Sequence, residues 1–315
     1  MSYETSGGTG VDPGDDPSVC NTSHTCQPLE QVKSVALQFI NTMFFPYDRV
    51  AVIASTSQIA NGTRNPTTVL QLNNTEATVR TAIQNLRVFQ PPVCDTSFGP
   101  CLNYPTGTFV GFECPIYRKG PDLITGTADD TLFNPSSCTS SNLGGALVLA
   151  SDAFTQPPIR QDSFWVTIML AGGPANATDA ASGYPYGYCP TNTWHDTNPT
   201  ASLRNPFCYD ADATTRHHSP DVNYDADDYA RDMADFLADP VNGQGATIFT
   251  IGLGNLVQHA GSGDPAMGEK LLSYIATQAG GTSANHGEYY FAPDASGLSA
   301  IFTKIADNIF TRISQ

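Results

Sequence analysis

Phe164-Trp165-Val166-Thr167-Ile168-Met169-Leu170-Ala171-Gly172-Gly173-Pro174-Ala175-Asn176 is the stretch whose reading decides the fold. Its first eight residues are almost continuously apolar, rich in β-branched and aromatic types, and are cut off by Gly-Gly-Pro. That pattern reads as a buried strand. A strand without alternation is covered on both faces, as in a parallel sheet flanked by helices. In such sheets ligands sit where the chain leaves the carboxyl end of a central strand. The segment Ala171–Asn176 is therefore the first place to look for chemistry, and it carries two glycines and no charge.

Working outward, a second run of this kind lies at Ala246–Leu253 (ATIFTIGL), with shorter ones at Arg49–Ala54 (RVAVIA), Val69–Leu72 and Tyr289–Ala292. Helical periodicity fills the intervals. Leu29, Val32, Ala36, Phe39, Ile40 and Met43 share a face after Pro28, and Val79, Ala82, Ile83 and Leu86 share one within Thr75–Val88. Ser141–Gln156 reads as a helix entered through Asn142-Leu143-Gly144-Gly145. Asp221–Ala238 pairs an acidic, solvated face with Tyr229, Met233, Phe236 and Leu237. Pro265–Ala279 turns Leu271, Leu272, Ile275 and Ala276 inward, and Asp294–Ile313 carries the stripe Leu298, Ile301, Phe302, Ile305, Ile309 and Ile313. Alternating strands and helices predict an α/β, Rossmann-like doubly wound domain with a mostly parallel sheet and helices on both faces. The expected organisation is an N-terminal loop over 1–27 and one domain over 28–315. Long insertions interrupt it at about 90–140 and 175–220, the first of them without a convincing element.

The formal net charge is −16, with 24 Asp against 6 Glu. Asp favours turns and caps, so the acidic excess falls mostly in loops. A surface this acidic repels phosphates and excludes nucleic acid as a partner class. The eight cysteines are Cys20, Cys26, Cys94, Cys101, Cys114, Cys138, Cys189 and Cys208; all lie outside the periodic segments, and none forms a Cys-x-x-Cys pair. They read as disulfide staples of long loops in an oxidising compartment. Sequence leaves their pairing open, and nearest-neighbour bridging is the simplest arrangement. The longest apolar run is far short of the roughly 20 residues of a membrane span. An extracellular or cell-surface location is expected, with export signal or anchor, and any membrane contact, supplied ahead of Met1.

Two further constellations carry possible chemistry. Gly120–Asp130 (GPDLITGTADD) sets Asp122, Asp129 and Asp130 around Gly126-Thr127, hard oxygens suited to Ca2+, against the plainer reading of a solvated acidic turn. His217-His218, near Asp210, Asp212 and Asp221, offers zinc or general-base chemistry to a metal-dependent hydrolase, the rival reading of function. Adjacent histidines rarely converge on one ion, and no Gly-x-Ser-x-Gly elbow is present.

VKSVALQFINTMFFPYDRVAVIAS, SNLGGALVLASDAF, WVTIMLAGGPANA, GATIFTIGLG and YYFAPDASGLSAIFTKIADNIFTRIS follow one another in an order and spacing that resembles a von Willebrand factor type A domain. The likeness is to the bacterial surface versions associated with tight-adherence pilus assembly. The resemblance implies a doubly wound sheet and a metal-ion-dependent adhesion site at its carboxyl edge. That site is built from Asp-x-Ser-x-Ser after the first strand, a Thr before the helix matching Ser141–Gln156, and an Asp after the fourth strand. Here the first strand and its motif are absent, with Met1 matching the methionine of a Ser-Gly-Ser-Met continuation. Ser141 stands at the Thr position and Gly172 at the Asp position. The expectation is a non-catalytic interaction domain for adhesion or pilus assembly, binding a protein ligand or other subunits of a surface structure. Its adhesion site is degenerate and no Mg2+ is expected there. The absent strand would leave a gap between the strands at Arg49–Ala54 and Phe164–Ala171, so that either these two close up or the isolated chain is poorly stable.

Overall fold

The computed structural model describes residues 17–55, 66–87, 102–103, 108–109, 116–118, 131–134, 141–159, 163–179, 181–182, 187–188, 215–259 and 264–313. Helices α1 (Pro17–Ser23) and α2 (Leu29–Ile40) lead into strands β1 (Val50–Ala54) and β2 (Thr67–Asn73), followed by α3 (Glu76–Gln84). Four short strands come next: β3 (Leu102–Asn103), β4 (Thr108–Phe109), β5 (Ile116–Arg118) and β6 (Thr131–Asn134). The remainder alternates as α4 (Leu143–Phe154), β7 (Val166–Ala171), α5 (Ala226–Ala238), β8 (Thr247–Leu253), α6 (Met267–Thr277), β9 (Tyr289–Ala292) and α7 (Leu298–Ile313). Among the described residues, no helix is long and apolar enough to cross a membrane.

Strands β7, β8 and β9 form a parallel sheet in that order, in register from Val166 opposite Thr247 to Ala171 opposite Gly252, and from Thr250 opposite Tyr289 to Leu253 opposite Ala292. All seven residues of β8 are buried. Alternation hides inside its apolar run. Ile248 joins the core formed with α4, α5 and α6, whereas Phe249, Ile251 and Leu253 join the core formed with α2 and α7. Thr250 fits this buried strand because its Oγ1 donates to the Leu272 carbonyl at 2.7 Å. Covering both faces is what suppresses the period of two in the sequence.

The sheet is not continuous. β1 and β2 form a separate antiparallel pair, running from Val50 opposite Asn73 to Ala54 opposite Thr67 with two shifts of register. Among the described residues no backbone hydrogen bond joins β1 to β7. Helices hold the two sheets together instead. On one side, α4 buries Leu143, Leu147, Ala150 and Phe154 in a cluster that takes Met169 and Ala171 from β7 and also packs Ile53 and Leu72 of the β1–β2 pair. On the other side, α2 sends Val32, Val35 and Phe39 into the cluster containing Val166, Ile168 and Leu170. The same helix turns Ala36, Leu37 and Ile40 to Val50, Val52 and Leu70.

Several sequence expectations need correction. The mostly parallel sheet is a three-stranded parallel sheet plus an unjoined antiparallel pair. The N-terminal loop over 1–27 contains α1, whose Cys20 is bridged to Cys26 and buried beside Leu29. The region 90–140 holds two small antiparallel pairs, β3–β4 and β5–β6. Strands of two to four residues are too short to imprint a periodicity. Phe236 and Ile313, read as inward, are 47% and 63% exposed.

Because α4 supplies one of the two contacts across the sheets, shortening its central side chain tests the packing. Leu147 is fully buried, so Leu147→Ala should lower unfolding free energy by about 2–5 kcal/mol. Val241→Ala, at an 82% exposed position, should change it by less than about 0.5 kcal/mol. Urea unfolding followed by circular dichroism measures both, and equal losses would contradict the assignment.

Candidate functional site

The carboxyl ends of β1 and β7 meet at the first turn of α4. Asn142 is the N-cap: its Oδ1 accepts from the Gly145 N–H at 2.8 Å, satisfying one of the unpaired donors of the helix start. The Asn142 N–H donates to the Ser55 carbonyl just past β1, at 3.2 Å. Ser141 and Asn176 are tied twice, with the Ser141 N–H donating to Asn176 Oδ1 at 2.7 Å and the Asn176 N–H donating to the Ser141 carbonyl at 3.1 Å. The loop leaving β7 is thereby fastened to the loop entering α4.

One carboxylate stands over this helix start. Asp179 Oδ1 accepts from Asn142 Nδ2 at 2.7 Å, and its Oδ2 accepts from the Tyr229 hydroxyl at 3.0 Å. The glycine pair explains how it gets there. A Cβ on Gly145 would stand 2.5 Å from Asp179 Oδ1, and one on Gly144 would stand 2.4 Å from the Tyr229 ring. One glycine admits the carboxylate and the other admits the ring. Burial, followed by the Asp179 charge, pushes the Tyr229 phenol well above its ordinary range, so it remains a donor. The amino end of a helix favours an anion, and here the chain supplies its own.

Gly172 directly follows β7 and, as glycine, has no side chain. Ser141 lies beside the α4 N-cap. Asp122, Asp129, Asp130, Asp210, Asp212 and the cysteines Cys94, Cys101, Cys114, Cys138, Cys189 and Cys208 lie outside the described residues. Among the described residues no three His, Cys, Asp or Glu side chains come together as a metal site.

The histidine pair is divided between two carboxylates. His217 Nδ1 is 3.4 Å from Asp228 Oδ2 and is largely buried, while His218 Nδ1 is 3.3 Å from Asp232 Oδ1 and is exposed. Asp221 accepts from the Asn223 N–H at 2.8 Å and takes no part in either contact. Next to them Arg216 donates to Asp232 at 2.6 Å and Asp235 at 2.7 Å, and lies over the Tyr274 ring. Burial works against the Arg216 charge, but the bonds to Asp235 and Asp232 hold it firmly protonated.

The acidic face of α5 is therefore not the solvated surface that its composition implies. Asp225 is the buried N-cap, accepting from the Asp227 N–H at 2.9 Å. Asp227 and Asp228 are also buried, Asp227 pairing with Arg231 at 2.6 Å. The segment carrying Arg216 and His217 folds over this face and meets its acids. The helix entry at Asn142-Leu143-Gly144-Gly145 was legible in the sequence, whereas nothing there marked Asp179, Tyr229 or Arg216 as partners.

Burial raises both the Asp227 and the Asp228 carboxyls above their usual value. For such groups the contribution to folding is full below the ordinary carboxylate value, near 3.8, and is lost as pH rises through the raised folded value. His217 and the charge of Asp227 are the groups that face Asp228. Asp228→Asn removes its titration, so the decline in stability from pH 4 upward should be shallower in the variant. Urea midpoints at a series of pH values read this out, and an unchanged slope would contradict it.

No protein-family model and no curated protein matches the sequence. Solved structures do match. The pilus adhesin SpaC from Lactobacillus rhamnosus GG aligns with 99% of this chain and 32% of its own at 13% identity, with a TM-score of 0.50. A D319A mutant of the PilB minor pilin from Streptococcus sanguinis aligns over 95% of this chain and 57% of its own, at 14% identity and a TM-score of 0.48. The vWF domain of the type V pili tip protein Mfa5 from Porphyromonas gingivalis aligns over 91% and 90%, at 15% identity and a TM-score of 0.47. The chain thus spans about half of the matched pilin and a third of the matched adhesin. At these identities the likeness is one of fold. The match at a TM-score of 0.50, to SpaC, shows a shared fold, and these matched structures are of pilus proteins, one of them titled a vWF domain.

Proposed function

We propose that this chain is a non-catalytic protein-interaction domain of the extracellular space or cell surface, serving adhesion or the assembly of a pilus or similar structure, and that its adhesion-site position is degenerate. The observation that carries the reading is the state of the carboxyl edge. Gly172 offers no carboxylate to a cation, and the first turn of α4 is already faced by Asp179, which is bonded to Asn142 and Tyr229. A partner met here is held by hydrogen bonds and shape, without a bridging Mg2+. The Cys20–Cys26 disulfide and the acidic composition suit an oxidising, extracellular setting. The rival, a metal-dependent hydrolase using His217 and His218, is disfavoured because the two rings face different carboxylates. Ca2+ bound by Asp122, Asp129 and Asp130 belongs to this proposal as a stabiliser of the first insertion.

Two experiments test it. Antibody against this chain should detect it in sheared surface fibres of intact source cells, and chelator should not release it. Retention inside the cell, or tightly held stoichiometric zinc with hydrolytic activity, would overturn the reading. In thermal unfolding, Mg2+ should leave Tm unchanged while Ca2+ raises it, and the double variant Asp129→Asn, Asp130→Asn should lose the Ca2+ response. A Mg2+-dependent rise would contradict the degenerate site.

A further inference from the structure

Strand β9 ends the three-stranded sheet on the side away from β7, and its outer side is open. The Thr250 N–H donates to the Glu288 carbonyl at 3.1 Å, and the Gly254 N–H donates to the Ala292 carbonyl at 2.8 Å. In a parallel ladder this turns the backbone groups of residues 288, 290 and 292 toward β8. Tyr289 and Phe291 therefore direct their N–H and C=O groups outward, where they have no backbone partner among the described residues. An exposed edge is usually blunted by charge, proline or a bulge. Tyr289–Ala292 reads YYFA and has none of these.

A cavity of about 860 Å³ lies between the start of β9 and the C-terminal half of α7. Its floor is fixed by hydrogen bonds. Glu288 Oε2 accepts from the Tyr290 hydroxyl at 2.7 Å, and its Oε1 accepts from Asn308 Nδ2 at 3.0 Å. Arg312 Nε donates to Asn308 Oδ1 at 2.6 Å, and its Nη2 donates to the His286 carbonyl at 2.7 Å. Gly287 lets this loop press on β8, since a Cβ there would stand 2.2 Å from the Ile248 carbonyl oxygen. Two charged groups stay outside that network. Lys304 and Asp307 line the cavity and are exposed, and among the described residues neither side chain makes a hydrogen bond or an ion pair. They share one flank of α7 with Asn308. The opposite flank is taken by α2, where Phe39 meets Phe302 at 5.6 Å between ring centroids.

We infer that the outer side of β9 takes up an extended segment of a partner protein, its backbone paired to Tyr289 and Phe291, with a basic and an acidic side chain two residues apart set against Asp307 and Lys304. Geometry and charge agree on this. Residues three apart on a helix have Cβ atoms about 5–6 Å apart. Residues two apart on a strand stand on one face, about 6.5–7 Å apart. Tyr290 lies on the α7 side of the sheet, whereas Tyr289 and Phe291 lie on the other side and are half-buried. Alternate residues of the added strand therefore face the cavity, and those between them pack beside the two aromatic rings. Backbone pairing supplies affinity, and the two ion pairs choose the segment. The inference rests on the reading of the chain as a protein-interaction domain. It places a second surface on the opposite face of the sheet from α4.

The test titrates the full chain with two peptides of one composition, Thr-Val-Lys-Val-Glu-Val-Thr and Thr-Val-Glu-Val-Lys-Val-Thr, followed by amide NMR. Binding should shift the amides of Tyr289 and Phe291 and move that of Tyr290 much less. One order should bind at least about threefold more tightly, the scale that exposed ion pairs allow. The favoured order reports the direction of the added strand. In the double variant Lys304→Glu, Asp307→Lys the preference should reverse; both positions are exposed, so the fold is kept. No shift at Tyr289 and Phe291 with millimolar peptide overturns docking at β9. Equal affinity for the two orders, or a preference that the double variant leaves unreversed, overturns the roles of Lys304 and Asp307. Shifts of the same amides that grow with the concentration of the chain alone overturn the separate partner in favour of a second copy. None of these failures touches the surface-fibre experiment, and failure of that experiment alone would leave peptide binding at β9 standing.

Discussion

The arrangement at the carboxyl edge depends on α4 being fixed between two strands that do not pair with each other. Its N-cap residue holds the end of β1 through the Ser55 carbonyl, and Ser141 just before it holds the loop beyond β7 through Asn176. Its buried face, centred on Leu147, packs against β7 and the β1–β2 pair together. Without that helix, and without α2 on the opposite side, nothing among the described residues would hold the pair and the three-stranded sheet in one frame. Apolar burial here takes over a task that backbone hydrogen bonds perform elsewhere in the sheet. Because burial is non-directional, it fixes the spacing of the two sheets less tightly than a ladder would.

The same helix also shapes the carboxyl edge. Its first turn would attract an anion from any partner, but Asp179 already stands there, admitted by the absence of a Cβ at Gly145 and gripped by Asn142 and Tyr229. A loop that looks empty at Gly172-Gly173 therefore borders a site whose charge is supplied from within the chain. This arrangement is what supports the proposal of an interaction module that needs no cation. The edge presents amides, hydroxyls and a carboxylate hydrogen-bonded within the chain.

Much of the fold was legible because burial leaves a mark on composition. The runs at Phe164–Ala171 and Ala246–Leu253 announce strands covered on both faces, and the stripe Leu271, Leu272, Ile275 and Ala276 announces a helix packed on them; all four of those residues are buried. The family resemblance raised a gap between β1 and β7 without deciding whether the two strands close up; among the described residues they do not pair. Tertiary pairing of polar groups was not readable. Asp227 and Asp228 look like a solvated face until the segment bearing Arg216 and His217 is seen to fold over them. Asp179 lies 37 residues beyond the cap residue it bonds, and no local pattern encodes that meeting. Very short strands such as β3 and β4 likewise leave no period to detect.

Among the described residues β7 is hydrogen-bonded on one side only, which residue-resolved amide exchange on the unmodified chain measures. One-sided pairing should produce an alternation along the strand. The amides of Thr167, Met169 and Ala171, paired to β8, should exchange slowly, and those of Val166, Ile168 and Leu170, facing the gap, should exchange markedly faster. Uniform slow exchange along Val166–Ala171 would mean that the second edge is already paired and would overturn one-sided pairing.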